Sequence, residues 1–217
     1  MNQRTTVRRS DGRSCCFGVI YPIAASLLIG SFSLQLAACN RPPEKAPEEG
    51  VESESPPVAE PAITKATIKG DLSEIKTLLD AGSNIDSKDA LGRTPLHMAS
   101  FYGRLKTTEF LLEHGANINA TDNVGMTPLH AAVLSGGRQQ VELLLEKKAD
   151  ITIKSSSGQT VLHLSASTGQ PKLSKFLIEK GADPLSKDAD GKTPLDYAVQ
   201  NQHPITTKLL KAYSEKK

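Results

Sequence analysis

Thr94-Pro95-Leu96-His97-Met98-Ala99 recurs as Thr127-Pro128-Leu129-His130-Ala131-Ala132, then as Thr160-Val161-Leu162-His163, and last as Thr193-Pro194-Leu195-Asp196-Tyr197-Ala198. Each return comes 33 residues after the one before. Self-similarity at a fixed period of this length points to a solenoid of stacked units, because each unit has an apolar face that only its neighbours can cover. Within the motif, Thr94 is a good helix N-cap, its hydroxyl able to accept from a first-turn amide. Pro95 sits at the first helical position, where its missing N–H is no loss. Every copy therefore marks the start of a helix.

Working outward, Gly103, Gly136 and Gly169 stand nine residues after the motif threonine, where a glycine lets the chain turn into an antiparallel second helix. That helix is carried in the second unit by Leu105, Phe110, Leu111 and Leu112, and it closes at Gly115, matched by Gly82 and Gly181. Between units lie Asp89-Ala90-Leu91-Gly92, Asp122-Asn123-Val124-Gly125 and Asp188-Ala189-Asp190-Gly191, with Asp and Gly where turn geometry wants them. Period, T-P-L-H-x-A motif and turn together resemble the ankyrin-repeat family. The expected fold is all-α: an ankyrin-repeat solenoid of about five helix-turn-helix units with short β-turn fingers, over residues 61–93, 94–126, 127–159, 160–192 and 193–217.

The units are unequal. The first has Pro61-Ala62-Ile63-Thr64 in place of the motif, as befits an end repeat with one face in water. In the third, Lys148 replaces the helix-closing glycine and Ser155 the turn aspartate, so this joint should be comparatively weak. The fourth has Val161 for the proline and Pro171 near the start of its second helix. The last has Asp196 for the histidine and Gln202 for the glycine, and it ends in Ser214-Glu215-Lys216-Lys217, which reads as a polar cap.

The front of the chain is different in kind. Arg4, Arg8, Arg9 and Arg13 precede an apolar stretch from Phe17 to Ala38, an order that reads as an export signal. Leu36-Ala37-Ala38-Cys39 resembles the bacterial lipobox. The resemblance implies that residues 1–38 are removed and that Cys39 takes a diacylglycerol thioether and an acylated amino terminus. The 22-residue stretch is also long enough to span a bilayer uncleaved, but it contains Gly18, Pro22, Gly30 and four polar residues, Ser26, Ser31, Ser33 and Gln35. Either way the arginines stay inside and the repeats face out of the cytoplasm. Arg8-Arg9 hints at twin-arginine export, though Ser10-Asp11-Gly12 lacks the apolar residues that signal wants. Asn40 stands where an aspartate would favour inner-membrane retention in Gram-negative lipoproteins. The expected location is thus the bacterial envelope, at the periplasmic face of the outer membrane.

Residues 39–60 form the lipidated cysteine and a tether rich in Pro, Glu and Ser, too poor in apolar residues to fold by burial. As an extended spacer it reaches at most about 60 to 65 Å, at ~3.1 Å per residue. Cys15, Cys16 and Cys39 are the only cysteines, so the processed chain has no free thiol and no disulfide. The net charge of +2 becomes 2 − 3 = −1 once the four Arg and one Asp of residues 1–38 are gone. Over residues 61–217, 20 Lys and Arg against 17 Asp and Glu give no basic stripe, which argues against nucleic acid.

Catalytic and metal chemistry find no footing. His97, His130 and His163 come one per unit, and stacked helices about 8 to 10 Å apart do not converge on one ion. In ankyrin repeats this histidine bonds at the helix start and between units. His114 and His203 read as isolated and exposed. Gly191-Lys192-Thr193 lacks the earlier glycine of a phosphate loop, where Ser186 stands, and no nucleophile or paired-cysteine motif occurs. No cofactor, metal, nucleic acid or small-molecule substrate is expected.

The resemblance implies protein recognition through the finger tips and the exposed side of the first helices. Carried onto this chain, those positions are Lys88, Leu91, Arg93, Phe101, Tyr102, Val124, Met126, Leu134 and Ser135. Phe101 and Tyr102 stand out, because the chain has only nine aromatic residues, five Phe and four Tyr, and aromatics dominate binding hot spots. The expected function is a membrane-anchored, non-catalytic module that binds a protein. The alternatives are an inhibitor or immunity protein against a secreted toxin, a passive organiser of the envelope, and an enzyme without a recognisable motif.

Overall fold

In the computed structural model, residues 61–215 are described, and ten helices follow one another among them without a strand. They form five pairs: α1 (Ala62–Lys69) with α2 (Leu72–Asp80), α3 (Pro95–Phe101) with α4 (Leu105–Glu113), α5 (Pro128–Ser135) with α6 (Arg138–Glu146), α7 (Val161–Ser167) with α8 (Pro171–Glu179), and α9 (Pro194–Gln200) with α10 (Pro204–Ser214). None of them is long and apolar enough to cross a membrane. The signal, Cys39 and the tether lie outside the described residues.

Each pair is built by the residues that punctuate it. At Thr94, Thr127 and Thr160 the threonine side chain faces the third-residue amide while the histidine reaches back to the cap amide, a reciprocal capping box. Pro95, Pro128 and Pro194 follow the cap threonine at N1, as expected. Gly103 turns the chain at φ +65° and Gly115 closes the second helix at φ +89°, both in the left-handed region. Lys148 and Gln202 adopt the same region at φ 70° and φ 58° without being glycines.

First helices pack on one another along the solenoid, α1 on α3, α3 on α5, α5 on α7 and α7 on α9, and each also packs on its own second helix. Leu96, Leu129 and Leu162, the same motif position in three units, have no exposed surface. Burying each such leucine stabilises the fold by about 1.5 to 3 kcal/mol. The core falls into two apolar clusters, one around Ile63, Ile75, Leu96 and Leu111, the other running from Leu129 to Leu210, with Leu112 and Ile118 packing against both. Thr107, Thr108 and Gln140 are buried near the boundary, and Gln140 Nε2 donates to Thr108 Oγ1.

Two expectations need correction. His203 is neither isolated nor exposed: it is half-buried, with Nε2 at 3.0 Å from the Ser167 carbonyl, tying the last unit to the one before. Nor is the last unit uniformly polar, since Val199 and Ile205 are 57% and 71% exposed. His114 is exposed as expected, but its ring stacks on Phe110 at 4.0 Å and its Nδ1 bonds the Phe110 carbonyl.

Candidate protein-binding surface

The fingers are held by their aspartates. Asp89 Oδ1 accepts from the backbone N–H of Leu91 and of Arg93, both at 2.9 Å, and Asp122 Oδ1 accepts from Val124 and Met126 at 3.0 and 2.8 Å. Four amides that a loop would leave to water are thereby fixed, and the side chains they carry are aimed. Successive fingers are stitched together where Asn123 N donates to the Leu91 carbonyl, and Asn123 Nδ2 to that of Ala90. Burial would raise the Asp89 pKa, but the Arg93 guanidinium and backbone donors outweigh it and hold the carboxyl below its usual value.

His97 joins finger to helix. The Thr94 amide donates to its Nδ1 at 3.1 Å, so the proton sits on Nε2, which donates to the Met126 carbonyl at 3.0 Å. Burial holds the ring below its ordinary pKa, in the neutral form this bonding needs. His163 repeats the arrangement, with Nε2 3.1 Å from the Lys192 carbonyl. Among the described residues no group of three or more His, Cys, Asp or Glu side chains is placed to hold a metal.

These devices frame a cavity of about 270 Å³ between the second and third units. Of the nine positions expected to face a partner, Leu91, Arg93, Phe101, Tyr102, Met126 and Leu134 line it together. Phe101 and Tyr102 are 46% and 47% exposed, their rings edge to face at 5.3 Å, so they brace one another as well as facing solvent. Arg93 is half-buried in its ion pair with Asp89 at 2.7 Å, so its charge is already met.

The other three lie off the cavity. Lys88 Nζ donates to the Thr121 carbonyl in the next finger, Ser135 Oγ bonds the Ala132 carbonyl, and Val124 is exposed on the finger tip. Met98, Ala131, His97 and Asp122 also line the cavity and were not anticipated. The signal for Met98 and Ala131 was in the motif itself, whose fifth place changes from Met98 to Ala131, Leu164 and Tyr197 while the places around it stay nearly fixed.

Stacked helix pairs, stitched fingers and an apolar hollow on the finger side define a helical-repeat solenoid. A family profile described as "Ankyrin repeats (3 copies)" matches residues 63–155 and again 140–217. The chain belongs to the ankyrin-repeat family, whose fold is an interaction module and typically non-catalytic. Comparison with curated proteins gave no match.

Proposed function

We propose that this chain is a lipid-anchored protein of the bacterial envelope whose ankyrin solenoid captures a partner protein in the hollow between its second and third units. One observation carries the binding reading: Leu91, Phe101, Tyr102 and Leu134, all exposed, converge with Met126 on one cavity, where Arg93 is held in an ion pair and the Asp122 carboxylate accepts two backbone amides. Large apolar side chains gathered around a hollow on a soluble face favour desolvated anchoring of a partner side chain.

The test is Phe101→Ala with Tyr102→Ala, compared with Gln200→Ala and Asn201→Ala at the same places in the last unit. Losing a hot-spot aromatic costs about 2 kcal/mol or more, a thirtyfold loss of affinity. Partners captured by the wild type and by the control pair should be lost by the aromatic pair, with helicity by circular dichroism unchanged. A folded aromatic variant that retains every partner places binding elsewhere.

The anchor rests on Leu36-Ala37-Ala38-Cys39 and the basic and apolar segments before it. Two acyl chains at Cys39 suffice for stable membrane attachment, where one does not. Cells grown with a labelled fatty acid should label the wild type and leave Cys39→Ser unlabelled. An unlabelled wild type would favour an uncleaved membrane span.

A further inference from the structure

The joint between the third and fourth units departs from its neighbours at several independent points. Lys148 closes α6 at φ 70°, where Gly82, Gly115 and Gly181 close the matching helices. In the finger that follows, Ser155 Oγ accepts from Gln159 N at 3.2 Å and shares its other contact with Ser157 Oγ, whereas Asp122 and Asp188 each hold two backbone amides within 3.0 Å. His130 Nε2 is buried and faces the Gln159 carbonyl without the well-formed bond that His97 and His163 make, at 3.0 and 3.1 Å, to the carbonyl ending their own finger. Its Nδ1 accepts from Thr127 N, so Nε2 carries the N–H of that weaker contact. A cleft of about 510 Å³ lies between Gly136 and Arg138 of one unit and Gln170 to Leu173 of the next, wider than the cleft of about 280 Å³ at the matching place between the second and third units.

A strained helix end, a thinned finger, a poorly formed histidine bond and a wider cleft each weaken one interface. In a solenoid, stability is a sum of unit and interface contributions, so the weakest interface decides where the structure parts. Bonds from Gln170 Nε2 to the Val133 carbonyl and from Lys154 Nζ to the Lys187 carbonyl, together with continuous apolar packing, keep this joint closed in the native state. We infer that the solenoid has a built-in opening point between its third and fourth units, at which α7–α10 open as one cooperative block while α3–α6 stay folded. Every residue lining the hollow, from Leu91 to Leu134, precedes Lys148. A partner seated there is held while the second half opens and closes.

Hydrogen exchange read by mass spectrometry on the full chain in detergent tests this. Amides of α7–α10 should exchange together and at least tenfold faster than the slowest amides of α3–α6. Leu111→Val, a modest loss in the buried core of α4, should speed α3–α6 several-fold and leave α7–α10 within twofold, because the smaller opening leaves Leu111 packed. Lys148→Gly with Ser155→Asp, which restores the joint, should slow α7–α10 at least fivefold. A single slowest rate shared by α3–α10, accelerated alike by Leu111→Val, would overturn the inference. So would an α7–α10 block indifferent to the restored joint.

Discussion

Lys148 and Gln202 are the two non-glycine residues with positive φ among the described residues, and both were visible in the sequence. The 33-residue register places a glycine at the matching position of other units, so a different residue there inherits the backbone and the strain. Lys148→Gly should therefore stabilise the chain by about 0.5 to 1 kcal/mol in chemical denaturation, and a destabilised variant would mean that the lysine side chain contributes more than its backbone costs. Glycines in the left-handed region are not equal. A Cβ at Gly115 meets nothing within 4 Å, whereas one at Gly125 comes within 2.7 Å of Ser156 N in the next finger. Gly115→Ala should cost about 1 kcal/mol, from its backbone alone, and Gly125→Ala measurably more; equal losses would show that the fingers shift freely. What the sequence hid at this scale were the buried polar residues. Thr107, Thr108 and Gln140 are polar by type, and the packing of α4 on α6 puts them inside.

At the scale of the element, the helices were legible because each begins and ends on a residue chosen for backbone geometry. Cap threonine, N1 proline and left-handed glycine act locally, so one sequence suffices to see them. The hollow was legible only in part. Six of its lining residues follow from family positions, but Lys88 and Ser135 share those positions and bond the frame instead, a distinction set by side-chain reach. The fingers make the contrast measurable. Asp122→Ala removes the acceptor of two backbone amides and should cost about 1 to 3 kcal/mol, while Ser155→Ala removes one long backbone bond and a contact with the Ser157 hydroxyl and should cost less than about 1 kcal/mol. If denaturation finds the two variants equally destabilised, the aspartate is not what holds the finger. Asp122→Ala should also weaken partner capture, since Met126 is aimed by the amide it loses.

For the molecule as a whole, the three motif histidines act together through pH. Burial lowers the pKa of His97, His130 and His163 from the ordinary value of 6.5, and brings His130 down to about 4. In the unfolded chain these rings take up a proton as pH falls through about 6.5, and in the folded chain they resist it, so the unfolded state binds more protons and stability falls with pH. The loss begins near pH 6.5 and, for His130, is complete near pH 4. At pH 5, His130 alone costs about 2 kcal/mol relative to pH 7.5, and the other two shift in the same direction. Asp89, Asp188 and Asp196 titrate below their ordinary value of 3.8, so the stability they contribute is lost only at lower pH and leaves this window to the histidines. Denaturation of the chain at pH 7.5 and at pH 5 should show the drop, and His130→Gln should shrink the difference between the two pH values by about 2 kcal/mol, whatever it does to stability at either. Equal stability at both values would mean that the rings are protonated in the folded chain. The bonds from the Thr amides to histidine Nδ1, which fix the start of three helices, would then have to be made another way.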